Sequence, residues 1–144
     1  PVMAQGGSAE YGPIQVVGNA VPMTDGMWMQ FPNLRFDPEL ESYVYDRRRG
    51  RSIVRTRFYS SVFYNNYTQR SCRRIVRDAM IRIAAVYPVV GQVHDEVIFL
   101  APSSHNQDQV RAWAIEQMSV VPDDMPGLPL AAECGCGETY YDVK

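Results

Sequence analysis

Val89-Val90-Gly91-Gln92-Val93-His94-Asp95-Glu96-Val97-Ile98-Phe99-Leu100-Ala101 is the stretch on which the architecture turns. Two apolar runs, 89–94 and 97–101, flank Asp95 and Glu96, and Pro102 stops the second. Short apolar runs bounded by turn signals read as strands, so the segment predicts a buried β-hairpin whose turn is anionic. Adjacent carboxylates at a tight turn are suited to share a divalent ion, because Mg²⁺ takes one or two carboxylates together with substrate phosphates. Two such ions clamp an in-line displacement at phosphorus. Asp is also an ordinary turn residue, so His94-Asp95-Glu96 alone leaves a metal site and a structural turn both open.

Upstream of this hairpin the hydrophobic period becomes helical. From about Tyr64, Cys72, Ile75, Val76, Ala79, Met80 and Ile83 define one apolar stripe of a helix over 64–86. Arg70, Arg73, Arg74 and Arg77 recur on roughly the opposite face, with Asn66 near that face and Gln69 between the two. Further upstream, 28–31 and 43–45 read as short aromatic strands. Tyr43-Val44-Tyr45 and Ser52-Ile53-Val54 flank Arg47-Arg48-Arg49-Gly50-Arg51, a hairpin signature in which Gly50 takes a left-handed position. Residues 1–26 are rich in glycine, proline and small side chains and read as a loop-rich segment, with Ile14-Gln15-Val16-Val17 as its one strand-like piece. Downstream, a helix is expected over 106–118, then a loop at Pro122, Pro126 and Gly127, then a last strand over 128–136. Hairpins, a long helix, a hairpin, a helix and a strand imply an α+β layer structure: an antiparallel sheet with two or three packed helices.

Composition sets the surroundings of these elements. The chain has 144 residues, 46% of them hydrophobic and 21% charged, which suits one globular core. No apolar run approaches the roughly 18 residues of a membrane span, and Pro1-Val2-Met3-Ala4-Gln5 shows no secretory signal. Three cysteines, Cys72, Cys134 and Cys136, suggest a reduced, intracellular protein. Cys134 and Cys136 read as small core residues, since zinc-like spacing is lacking. The net charge of −2 conceals an asymmetry: from Arg47 to Arg82 there are eleven arginines and one acid, Asp78. Elsewhere three bases face fifteen acids. Such a split fits a polyanion-facing surface on an acidic body, or a basic face packed against acids elsewhere.

Gln92-Val93-His94-Asp95-Glu96-Val97-Ile98 resembles motif C of the family A DNA polymerases, the group of bacterial DNA polymerase I and many phage replicases. Asn65-Asn66-Tyr67-Thr68-Gln69 is similar to the family's Glu-Asn-x-x-Gln segment, which opens the helix before motif C. Gly26-Met27-Trp28-Met29-Gln30-Phe31-Pro32-Asn33-Leu34-Arg35 is similar to a strand and loop of phage members, and Gly127-Leu128-Pro129-Leu130-Ala131-Ala132-Glu133 to their closing strand. The pieces follow the family's order and cover nearly the whole chain. The resemblance implies a palm-type fragment over 27–144 following the 1–26 segment. Asp95 becomes a metal-binding carboxylate, with Glu96 its less essential neighbour in catalysis and metal binding. His94 then sits near the primer 3′ end, and Asn66 and Gln69 reach the minor groove of the duplex, where acceptors vary little between base pairs. Arg70, Arg73, Arg77 and Arg47 to Arg51 are candidates for phosphate contacts on physical grounds alone.

The resemblance also marks what this stretch of chain lacks. No Asp-Tyr-Ser-type motif A is present, and motif B requires a lysine where the sole lysine is Lys144. The expected function is therefore template-directed nucleotidyl transfer in DNA replication, performed only together with the remainder of the polymerase. The cofactor is a two-Mg²⁺ site only partly supplied here, and the partners are primer-template DNA, deoxynucleoside triphosphates and the motif A and B chain, without a membrane. The family points to the cytoplasm, that of a bacterial host for a phage-encoded chain. Ser60-Ser61 replaces the family's Gly-Gly and Asn65 its acid, which bears on the duplex grip. A split subunit, a non-catalytic DNA-binding module derived from a palm, and a truncated fragment are all compatible with this sequence.

Overall fold

The computed structural model describes Met3, residues 6–11 and residues 14–143. Gly12-Pro13, most of the 1–5 segment and Lys144 lie outside the described residues. Among those described, the chain is α+β, with antiparallel sheets and two α-helices, the class its periodicity implies. It divides into two compact units, Pro1–Gln69 and Arg70–Lys144.

The first unit opens with a four-stranded meander: β1 (Ser8–Tyr11), β2 (Ile14–Val17), β3 (Ala20–Pro22) and β4 (Trp28–Gln30). Two of these strands, β1 and β3, fall where sequence suggests loop. The glycines there make turns rather than coil: Gly18 has φ +58° between β2 and β3, and its N–H donates to the Gly7 carbonyl at 2.8 Å. Asn19 then locks the next segment, donating from Nδ2 to the Phe31 carbonyl at 3.1 Å while its own carbonyl accepts from Phe31 N–H at 2.9 Å. A second sheet holds β5 (Arg35–Asp37), β6 (Ser42–Arg49) and β7 (Ser52–Arg57). Gly50 takes φ +60° at its tip, as the hairpin signature requires.

Val16, Val21, Met29, Phe31, Leu34 and Tyr45 form the core of this unit. Phe31 is its centre, 1% exposed, with the Tyr45 ring at 5.3 Å and the Phe58 ring at 4.8 Å, both edge-on. The helix α1 (Ser60–Ala84) begins four residues before the predicted start. Its first two turns contribute Val62, Phe63 and Tyr67 to the same cluster, and the Tyr59 carbonyl accepts from the Val62 and Phe63 amides. Tertiary burial thus carries the helix past the point where its own period becomes legible.

In the second unit the rest of α1 is followed by β8 (Val89–Val93), β9 (Glu96–Phe99) and α2 (Gln107–Met118). Asn106 caps α2, its side-chain oxygen accepting from Gln109 N–H at 3.1 Å. Tyr87 knits the elements together, stacked on Phe99 with centroids 5.6 Å apart and edge-on to Trp113 at 5.3 Å. Ala79, Ile83, Val110 and Ala114 are buried. Cys72, expected on the apolar stripe, is exposed, and Cys134 and Cys136 are half-buried rather than core. Burial, then the neighbouring Cys136, pushes the Cys134 thiol up, the opposite of what a reactive thiolate needs.

Residues 128–136 do not form the expected strand. Their burial still alternates, with Leu128, Leu130, Ala132, Cys134 and Cys136 half-buried between exposed neighbours. The period is that of a strand, but no described strand pairs with it, so the hydrogen-bonded ladder that defines a strand is missing. The arginine face of α1 also departs from its reading. Arg74 has a side chain only 14% exposed and grips Asp124 with two guanidinium nitrogens, at 2.7 and 2.5 Å. Arg77 pairs with Asp78 at 2.9 Å, and Arg82 donates to the Gln117 carbonyl at 2.7 Å. Charge-assisted, largely desolvated pairs of the Arg74 type contribute about 1.5–3 kcal/mol. Arg74→Ala is accordingly expected to lower the urea-unfolding free energy by that amount, whereas Arg73→Ala changes it by less than about 0.5 kcal/mol.

Candidate metal and nucleic-acid site

β8 and β9 pair antiparallel from Val89↔Phe99 to Val93↔Glu96, with a register shift between Val89 and Gly91. The extra residue on β8 is a β-bulge, a device that re-aims a strand end. Because Val93 faces Glu96, the connecting turn is His94-Asp95, and Glu96 is already the first residue of β9. The two acids therefore belong to different elements, one to the turn and one to the strand.

His94 has φ +54°, one of three described non-glycine residues in the left-handed region. Its carbonyl accepts a hydrogen bond from Gln92 Nε2 at 3.1 Å. A β-carbon there costs about 1–2 kcal/mol relative to ordinary backbone. Strain of this kind concentrates at functional sites. His94→Gly is expected to stabilise the chain by about 1 kcal/mol, read by thermal unfolding, while removing the imidazole from the turn.

The hairpin is not the buried one its apolar strands suggest. His94 and Asp95 are exposed and Glu96 is half-buried. Val90, Val93 and Leu100 are 57%, 42% and 58% exposed. Apolar strands predict burial only if a layer covers them, and among the described residues this two-stranded sheet has no third strand.

Glu96 has a partner that sequence reasoning missed. Tyr140 Oη donates to Glu96 Oε2 at 2.8 Å. Tyr140 is presented by a 3₁₀ turn, Tyr140–Val143, which Asp142 ties down by accepting from both Thr139 N–H and Thr139 Oγ1. The Thr139 hydroxyl, then its amide, hold the Asp142 carboxyl below the usual carboxylate range. This contribution is present above the unfolded carboxylate pKa of about 3.9 and is lost as pH falls through the lowered value. Gly137 admits the arrangement, since a β-carbon there would lie 2.7 Å from that of Asp142. With 44 residues separating the partners, no local pattern announces the contact.

Among the described residues no three histidine, cysteine or acidic side chains converge as a metal cage. Asp95 and the oxygen of Glu96 not held by Tyr140 are the acidic donors of this turn, a set that fits an ion completed by phosphate, water and carboxylate from elsewhere. On α1, Asn66 is half-buried and Gln69 exposed, in the first unit. In the second, Arg70 is half-buried with Nε lacking a partner, Arg73 is exposed, and Arg77 is occupied by Asp78. Of the three arginines proposed for DNA, Arg73 is thus the one that faces solvent without an internal salt bridge.

A separate open cavity of about 560 Å³ lies between Tyr87, Ser104, His105, Gln109 and Trp113. Tyr87 Oη and His105 Nδ1 are hydrogen-bonded there at 2.9 Å. No family model, curated protein or solved structure matches the chain.

Proposed function

We propose that this chain is the C-terminal palm part of a family A DNA polymerase, contributing Asp95 to a two-Mg²⁺ nucleotidyl-transfer site that the rest of the enzyme completes. The observation that carries the reading is the His94-Asp95-Glu96 turn. The residues of motif C fall on a bulged antiparallel hairpin, with a strained His94 and an Asp95 open to an incoming ion. When bound, the metal pair neutralises developing charge at the transferred phosphorus. Asp95 would hold one ion, Glu96, restrained by Tyr140, would act as a secondary ligand, and His94 would meet the primer-terminal phosphate. Asn66, Gln69 and Arg73 serve the duplex, the first two through the minor groove and Arg73 through phosphate.

Exposed apolar residues support the need for further polypeptide. Ile81, Val86, Val90, Val93 and Leu100 are each more than 40% exposed in the second unit, apolar surface that the remaining palm would be free to cover. Exposure of the turn also favours a second reading, in which the chain binds DNA without catalysis, since an uncovered acid pair by itself forms no enclosed site.

Primer extension separates the two. The chain is assayed alone and combined with the polypeptide bearing motifs A and B, with Mg²⁺ and four deoxynucleotides. Extension by the combination only, abolished by Asp95→Ala, is the expected result. Salt-sensitive duplex binding with no extension in any combination would establish the non-catalytic reading instead.

A further inference from the structure

The β6–β7 hairpin carries a second nucleic-acid element that is independent of the metal turn. β5 pairs only with Ser42 to Val44 of β6. Beyond that point β6 and β7 continue alone through five registered pairs, from Tyr45↔Thr56 to Arg49↔Ser52. The base of this stretch is anchored, with Tyr45 buried and the Asp46 N–H donating to the Pro32 carbonyl at 2.8 Å, and its free tip, the three pairs from Arg47↔Val54 to Arg49↔Ser52, spans about 10 Å, with every residue from 47 to 55 exposed.

Between residues 47 and 57 it holds six arginines, Arg47, Arg48, Arg49, Arg51, Arg55 and Arg57, and no acid. Arg55 alone among them has a salt bridge, to Asp37 at 2.8 Å. Asp46, at the base, is engaged by Asn33 and Arg35. A bare two-stranded ribbon is marginal in water, and crowding like charges on it adds repulsion. The arrangement is unfavourable for the free chain and becomes favourable once a polyanion neutralises it.

Register decides the shape of that polyanion. Arg47 and Arg49 alternate to one face with Val54, while Arg48, Arg55 and Arg57 share the other with Ile53. Cations on both faces suit a ligand with anionic walls on two sides and are wasted on a single plane such as a lipid surface. The B-form major groove, about 12 Å wide, admits a two-stranded ribbon between its phosphate backbones, whereas the A-form major groove is too narrow.

We infer that the Arg47–Arg57 ribbon inserts into the major groove of B-form duplex DNA, positioning it through phosphate contacts without catalysing anything. The test is fluorescence anisotropy of the full chain with a blunt DNA duplex of about two helical turns, titrated across salt. Replacing Arg47, Arg48, Arg49 and Arg51 together by Gln is expected to flatten the slope of log K against log[salt] by about 3–4, at about 0.9 per phosphate contact. The corresponding Arg→Lys variant, which keeps the charge, is expected to restore most of that slope. The titration contains neither Mg²⁺ nor deoxynucleotides and reads binding alone, so failure of the polymerase reading and failure of this one are told apart. An unchanged slope in the Gln variant, or no recovery in the Lys variant, would overturn the inference. So would equally tight binding to an A-form RNA duplex or to phosphatidylserine vesicles.

Discussion

On the proposed polymerase reading, Asp95→Asn is expected to slow primer extension by the combined chains on the order of 10³-fold, while duplex affinity and thermal stability stay near wild type. The size follows from losing one anionic metal ligand, worth several kcal/mol of transition-state charge stabilisation. The specificity follows from geometry. Asp95 is exposed in a two-residue turn and has no hydrogen bond among the described contacts, so Asn, an equally good turn residue, changes stability by less than about 0.5 kcal/mol. Glu96→Gln is expected to be milder, about 10-fold, because one Glu96 oxygen is already held by Tyr140 at 2.8 Å and the proposed reading gives it only a secondary metal role. Single-turnover extension at saturating duplex distinguishes the two substitutions, since a ground-state binding defect would appear in KM rather than kcat.

Phe31→Ala is expected to cost about 3–5 kcal/mol, a large share of the 5–15 kcal/mol that holds a typical domain together. Phe31 is 1% exposed and is ringed by Tyr45, Phe58 and Phe63. Truncation removes its buried area and leaves a cavity bounded by aromatic rings that cannot collapse freely. Its backbone is also tied at both polar atoms to Asn19, so the segment stays in place and the void persists. Urea unfolding followed through Trp28, on the adjacent strand, reads the loss. A cost below about 1 kcal/mol would mean that the core of the first unit relaxes far more than its packing implies.

Sequence made some of this legible and hid the rest for identifiable reasons. The two helices and the β6–β7 and β8–β9 hairpins were readable because their signals are local: a change of hydrophobic period, apolar runs bounded by Pro102, Gly50 at a tip. β1, β3 and β5 are three or four residues each, too short for a period to register, and their pairing is decided by partners rather than propensity. Residues 128–136 show the converse, a strand-like alternation without a ladder. For the site, His94-Asp95-Glu96 was visible as an acidic turn between apolar runs, but its exposure was not, since apolar strands say nothing about whether a covering layer is present. Arg74 reads as one more cation on the basic face of the helix until Asp124, 50 residues on, claims it. Tyr140 reads as nothing at all until the chain returns it to Glu96.

Whether Asp95 holds a divalent ion at the primer terminus is read by iron-mediated cleavage. Fe²⁺ replaces Mg²⁺ in the combined enzyme bound to primer-template, and ascorbate with peroxide generates hydroxyl radicals at the metal. Scission centred on the primer 3′ end, lost in Asp95→Asn, is expected if Asp95 is a metal ligand. Scission spread evenly along the duplex, or centred on the terminus but unchanged by Asp95→Asn, would contradict it.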